Sequence, residues 1–304
     1  MYVKGRRFTP ELLDRWRKEK RGTGTGKDYI PWHQVRPADP ASRGRSHLVN
    51  WRFERLHHLL SDNEWVVFGL CTMLSNVVDL REQYPLALKP HPSDVSPYCL
   101  FKLAGWSAGT LEIAQDLNIA HPVMRSKGRV VPWVMTTDFV VTLAMPNGRK
   151  QLLAISVKEG SETEKERTRE LLTIEREYWV RQGFTWLLFT PELCSLEVFR
   201  TLKSCLPWML AADDEDLLVH LGQLMPWRAD LEGKTFGQAI GLIAERIKVS
   251  SDRAQCLLWK SVGYGLLPLD LSSPVRPSAP LRLLSEEGFL LQNPVASRRT
   301  AWRN

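Results

Sequence analysis

The sequence predicts an α/β protein: a mixed sheet forms the core, and a smaller, largely helical region follows it. Three observations carry this expectation. Two β-branched, apolar runs, residues 133–144 and 152–157, flank Pro146-Asn147-Gly148, and Asn-Gly is a strong signal for a tight hairpin. A long amphipathic helical pattern over 163–182 comes next, stopped by Gly183, and a buried strand follows over 184–189. Beyond Cys194 the pattern changes to helices with short extended pieces. Strands joined through a long helix are the mark of a sheet with helices packed on it.

The elements justify themselves in order. Leu12, Leu13 and Trp16 at helical spacing predict a helix over 10–20. It runs into Gly22-Thr-Gly24-Thr-Gly26-Lys27, which superficially resembles a phosphate loop. Arg21 stands where the first glycine of that motif belongs, and Asp28 replaces its Ser/Thr, so nucleotide binding is not expected. The glycines are read as allowing close approach to a phosphate backbone. Residues 36–50, with Pro37, Pro40 and Gly44, read as a loop. A helix is expected over 62–73, a strand over 76–80, an irregular proline-rich stretch over 85–97 and a short helix over 111–118. In the second half, Thr235 caps a helix running to about 249, and Ser250 or Ser251 caps another to 262. Extended pieces at 266–271 and 281–284 follow, an order that suits a winged-helix variant of the helix-turn-helix. The expected domains are a basic N-terminal segment over 1–60, a catalytic domain over 61–193 and a C-terminal domain over 194–304 whose tail, 296–304, is disordered.

Composition bounds the function. The net charge is +7, and residues 1–60 alone hold 14 basic against 6 acidic side chains, so the excess sits at the N-terminus. A local basic excess suits phosphate contact and steering toward nucleic acid, although a solvated basic arm has the same composition. Lys27, Arg43, Arg45 and Arg81 are the candidate DNA contacts. No apolar run is long enough to span a membrane, and the first residues lack the apolar stretch of a secretory signal. Five cysteines, odd in number, widely spaced and without a CxxC, point to a reduced, cytoplasmic protein without a disulfide framework or structural zinc.

One constellation could carry chemistry: Glu64 upstream, Asp138 on the first hairpin strand, and Ser156-Val157-Lys158 on the second. A hairpin brings Asp138 beside Lys158, and residues two apart on a strand share a face, so Ser156 and Lys158 are expected to point together. Phosphodiester hydrolysis uses such a group: carboxylates hold Mg²⁺, with Mn²⁺ able to substitute, and an ammonium orients water or stabilises charge on the phosphate. Bland readings stand beside it. Asp138 and Lys158 also suit strand-end positions in solvent, and Ser61-Asp62-Asn63-Glu64 is a capping box that needs no metal. His57 and His58 read as packing residues or as contacts to DNA or metal. Glu175 and Glu177 read as solvated helix residues or as neighbours of the cluster. Trp51, Trp133, Trp179 and Trp186 read as core.

Several stretches, in order over about 20–190, resemble the TnsA family, the endonuclease subunit of a heteromeric cut-and-paste transposition machine. They are Gly22-Thr-Gly-Thr-Gly-Lys-Asp-Tyr-Ile-Pro-Trp32, Gly44-Arg-Ser-His47, His57-His-Leu-Leu-Ser-Asp62 with Glu64, Asp79-Leu-Arg-Glu-Gln-Tyr-Pro-Leu86, Thr136-Thr-Asp-Phe139, Ile155-Ser-Val-Lys158, Glu175-Arg-Glu-Tyr-Trp179 and Phe189-Thr190. The resemblance implies a restriction-endonuclease-like core with its active site at Glu64, Asp138, Ser156 and Lys158, and a winged-helix-like C-terminal region. It implies cutting of the 5′ strands at transposon ends in double-stranded DNA, beside a TnsB-type transposase and a TnsC-type AAA+ ATPase. Ser156 departs from the family, which carries an amide or acid there, and a hydroxyl is the weaker ligand. The alternatives are a catalytically weak subunit bridging transposase and ATPase, and a stand-alone restriction or repair nuclease.

Overall fold

The computed structural model describes residues 8–37, 39, 44–99, 105–213, 215–273 and 275–303. The chain divides into two compact units that are not contiguous in sequence, unlike the expected boundaries at 61 and 194. Unit 1 takes 1–64, 76–190 and 301–304; unit 2 takes 65–75 and 191–300.

Unit 1 begins with α1 (Pro10–Lys18), capped by Thr9, whose hydroxyl accepts the N–H of Leu12 at 3.2 Å. Two antiparallel strands follow, β1 (His47–Trp51) and β2 (Arg55–Leu59), then α2 (Asp62–Thr72), which starts in unit 1 and carries the chain into unit 2. After β3 (Val77–Pro85) come α3 (Thr110–Asp116) and a small hairpin, β4 (Val123–Ser126) and β5 (Arg129–Pro132). The expected hairpin is β6 (Thr136–Ala144) and β7 (Lys150–Val157); at its turn Gly148 has φ +78° and donates to the Met145 carbonyl at 2.9 Å. A short helix, α4 (Gly160–Thr163), and the long α5 (Glu166–Val180) lead to β8 (Thr185–Phe189). The four-stranded sheet has the order β3-β6-β7-β8, with the first two pairings antiparallel and β7-β8 parallel. A parallel pair needs a crossover, and α5 supplies it. Val140, Leu152, Ala154 and Leu188 of the sheet and Leu172, Ile174, Tyr178 and Trp179 of α5 share one buried cluster.

The glycine-rich segment approaches its own chain. A Cβ at Gly22 would lie 2.1 Å from Pro85 Cγ, and one at Gly24 would lie 2.2 Å from the Asp28 carbonyl oxygen, with φ of +77° and +91°. Gly26 donates its N–H to Asp79 Oδ2 at 2.8 Å. The expectation that these glycines approach a phosphate backbone is therefore replaced: they seat the loop on β3. The basic N-terminal segment is likewise part of the fold. Arg21 is buried in ion pairs with Asp39 at 2.6 Å and Glu19 at 2.6 Å, and Arg55 grips Glu82 through two bonds of 2.8 Å. The tail is ordered, not disordered, through residue 303. Ala301 donates to the Leu188 carbonyl at 2.8 Å, and Trp302 packs edge-on against Trp186 at 5.6 Å.

Unit 2 is helical: residues from Trp65 of α2, then α6 (Leu196–Met209), α7 (Leu217–Leu224), α8 (Arg228–Leu231), α9 (Phe236–Ile247), α10 (Ser251–Gly263) and α11 (Glu286–Gln292). The expected caps are present. Thr235 and Gln238 form a full capping box on α9, and Ser250 accepts the N–H of Arg253 on α10 at 3.2 Å. The two expected extended pieces meet through one antiparallel bridge, Leu269 to Leu283. All five cysteines are free thiols. Among the described residues no helix is long and apolar enough to cross a membrane.

Candidate active site

The ladder between β6 and β7 closes at Phe139 and Ile155, one residue short of Asp138. Beyond that point the Asp138 side chain does the joining: its Oδ2 accepts the N–H of Val157 at 2.6 Å and the Lys158 Nζ at 3.1 Å. Lys158 also donates to the Val157 carbonyl at 2.9 Å, and its own N–H is fixed by the Phe189 carbonyl of β8 at 3.0 Å. Burial alone would favour the neutral amine, but the charges of Asp138 and Glu175 lift the Lys158 pKa, so it remains an ammonium.

Glu64 joins them from the first turn of α2. Ser61 accepts the Glu64 N–H at 3.1 Å, as a cap should, while Glu64 Oε2 accepts the N–H of Leu60 at 2.9 Å and the Gln83 amide at 3.0 Å. The capping role and membership of the cluster therefore coexist. Burial and the nearby Asp138 charge push the Glu64 pKa up to about 8, against the pull of the Leu60 N–H and Lys158. Gln83, which sequence reasoning passed over, has φ +51°, left-handed within β3, at the register position facing Asp138. For a residue other than glycine such backbone costs about 1–3 kcal/mol and tends to occur where the surroundings demand it.

Ser156 is fully buried and turned to Glu175 rather than to the Asp138 carboxylate. Its hydroxyl donates to Glu175 Oε1, and the same carboxylate oxygen accepts from Thr137 Oγ1 at 2.6 Å and Trp186 Nε1 at 3.4 Å. Trp186 Nε1 also reaches the Ser156 hydroxyl at 3.2 Å. Glu175 is thus a buried carboxyl behind the site, its pKa raised by burial against the influence of Lys158 and the Ser156 and Thr137 hydroxyls. The signal was present in α5: Leu172, Glu175 and Trp179 lie three and four residues apart, which puts Glu175 on the buried face. Glu177 instead pairs with Arg176 at 2.8 Å and Arg181 at 3.4 Å.

The candidate DNA contacts fare unequally. Lys27 and Arg45 are exposed, and Arg43 lies outside the described residues. Arg81 is only 2% exposed, held over the rings of Tyr84 at 4.4 Å and Tyr98 at 5.2 Å, so it is a core residue and not a phosphate contact. His57 and His58 are packing residues: His57 Nδ1 meets Glu82 at 3.0 Å, and His58 Nδ1 accepts the Val35 N–H at 3.0 Å.

Among the described residues no three His, Cys, Asp or Glu side chains form a ready-made metal cage. The donors present are two neighbouring carboxylates, Glu64 and Asp138, whose charges oppose each other. Hard oxygen donors few in number suit magnesium, which keeps several waters, better than zinc, whose protein sites usually include nitrogen or sulfur.

A family model described as the TnsA-like endonuclease N-terminal domain matches residues 74–191, a span that contains Asp138, Ser156, Lys158 and Glu175. Transposon Tn7 transposition protein TnsA of Escherichia coli is 37% identical over 229 residues, 75% of this chain and 72% of that protein. An α/β sheet with this carboxylate–lysine pair at its end, within these similarities, is the class of a DNA endonuclease acting in transposition. The chain belongs to the TnsA family.

Proposed function

We propose that this chain is the magnesium-dependent, restriction-endonuclease-like subunit that cuts the 5′ strands at transposon ends, working in the cytoplasm with a TnsB-type transposase and a TnsC-type AAA+ ATPase. The observation that carries the reading is the Asp138–Lys158 ion pair at the open end of the β6-β7 hairpin, with Glu64 beside it. Glu64 and Asp138 would hold the ion, with Ser156 acting at one remove through Glu175. When bound, the ion polarises the phosphoryl oxygens and acidifies a coordinated water. Lys158, kept cationic by its carboxylate neighbours, orients the attacking water or stabilises charge on the scissile phosphate. Gln83 and Leu60 fix the Glu64 carboxylate, so its orientation is set before substrate arrives. Unit 2 is read as winged-helix-like, from α9, α10 and the bridged segments after them, and as the part that docks on the ATPase. A fragment beginning at 194 would lack the unit's 65–75 segment, so partner binding is best tested on the full chain.

The test of the whole reading is strand-specific nicking of a transposon-end duplex in the complete complex, with and without Mg²⁺. Cutting confined to the 5′ strands and dependent on the ion supports it. A wild-type chain that never cuts in a complete complex marks a bridging subunit instead.

Ser156→Ala is expected to reduce nicking about 10- to 100-fold, the range found when groups behind a metal site are removed, because it frees Glu175, whose charge acts on Lys158, with part of the loss recovered in Mn²⁺. The hydroxyl holds Glu175, not the ion itself, so the effect is indirect. Nicking rates titrated against each metal check this; a variant as inactive as one lacking Asp138 at every metal concentration would contradict it.

A further inference from the structure

We propose that the β4-β5 hairpin is a DNA-contacting ribbon, seated in the groove of the duplex that the endonuclease site cuts, with Arg125 and Lys127 on its phosphates. The proposal rests on the endonuclease reading and adds the surface by which the substrate is held.

The hairpin has one anchored face and one open face. Met124 and Val131 are register partners and enter the apolar cluster of Leu13 and Trp16 on α1. Alternation along the strands then sends Val123, Arg125, Val130 and Pro132 to the other side. There Val123 is 46% and Val130 53% exposed, and Arg125 is exposed as well. Lys127 and Gly128, both at positive φ, make the tight turn that presents the tip.

Charge says what covers this face. No acidic residue occurs between Asp116 and Asp138, while Arg125, Lys127 and Arg129 fall within five positions. Acidic groups nearby come from α1: Arg129 pairs with Asp14 at 3.2 Å, and the Glu11 carboxylate is influenced by Lys127 and Arg129. The side chains of Arg125 and Lys127 make no hydrogen bond or close ion pair among the described residues. Exposed cations beside exposed valines suit a polyanion with apolar sugars and base edges. The shape agrees, because a major groove about 12 Å wide admits a two-stranded ribbon. Asp138 lies six positions beyond Pro132, at most about 20 Å of extended chain, so a duplex held by the ribbon is tethered close to the cutting group.

The experiment measures binding of the full chain to a short labelled duplex by fluorescence anisotropy across a salt series. Arg125→Ala with Lys127→Ala is expected to weaken binding about tenfold at low salt and to flatten the slope of log affinity against log salt by about 1.8, the release of two phosphates' counterions. Arg125→Lys should stay close to wild type, and both variants should melt as wild type does because the altered side chains are exposed. If wild type binds with a clear salt slope and the double variant reproduces it, the ribbon assignment is overturned while the endonuclease reading stands. A double variant that binds duplex normally but no longer assembles with transposase or ATPase also overturns it, in favour of a protein interface. A wild-type chain without salt-dependent duplex affinity overturns the ribbon, while the endonuclease reading is decided separately by cutting in the complete complex.

Discussion

Asp138→Ala is expected to abolish 5′-strand cutting in the assembled complex, by at least about a thousandfold, while assembly survives. The 3′ strands would still join and the 5′ strands would stay attached, so the expected product is a cointegrate. The side chain has two tasks at once: it bonds the Val157 N–H where the β6-β7 ladder has ended, and it holds the Lys158 ammonium. Asp138→Asn separates them. The amide keeps an oxygen for Val157 but removes the charge, and this variant should be as inactive as the alanine while melting like wild type. Lys158→Ala should fall about 10²- to 10³-fold, as is usual when a charge-stabilising donor is removed. Clean double-strand excision by any of the three, assayed on gels that resolve each strand, would remove these residues from the site.

Glu82→Leu is expected to cost about 3–5 kcal/mol of stability. Glu82 is fully buried and binds both terminal nitrogens of Arg55, the His57 ring at 3.0 Å and the His58 N–H at 3.0 Å. Removing the carboxylate leaves the His58 N–H without this acceptor and the Arg55 guanidinium without its counter-charge, although Arg55 still donates to the Leu80 carbonyl at 2.6 Å. Burial would raise its pKa, but His57 and Arg55 pull it well below the ordinary carboxylate range. A depressed folded pKa gives stability that is complete above the unfolded value, about 4.3, and fades as pH falls below it. Urea unfolding at pH 7 and at pH 3 checks both points. The wild type should lose stability at the lower pH, and the gap between wild type and variant should narrow there. A variant as stable as wild type at pH 7 would show that the pair contributes nothing net.

Much of this architecture was legible because local signals agreed with the tertiary fold. Asn147-Gly148 marked the hairpin that positions Asp138 and Lys158, and Thr235 and Ser250 marked helix starts that the structure reproduces. The β1-β2 hairpin left no such mark: its turn uses Phe53 and Glu54 at positive φ, where glycine or asparagine would have announced it. Arg81 was misread because its charge is visible in sequence and the tyrosine rings that enclose it are not. Glu175 was legible only as one of two readings, because a carboxylate on a helix is usually solvated and its hydroxyl partners lie on two other elements. The β4-β5 hairpin escaped because four-residue strands are too short for alternation to stand out.

Gln83 has a bearing on how this chain can be hardened or can drift. Its left-handed backbone would be relaxed by glycine, a change that a search guided by backbone preference would propose. That same change deletes the amide that steadies Glu64. Thermostabilising selection and selection for cutting therefore pull in opposite directions at this one position, and gains in heat tolerance that keep the enzyme alive have to be sought elsewhere in the sheet.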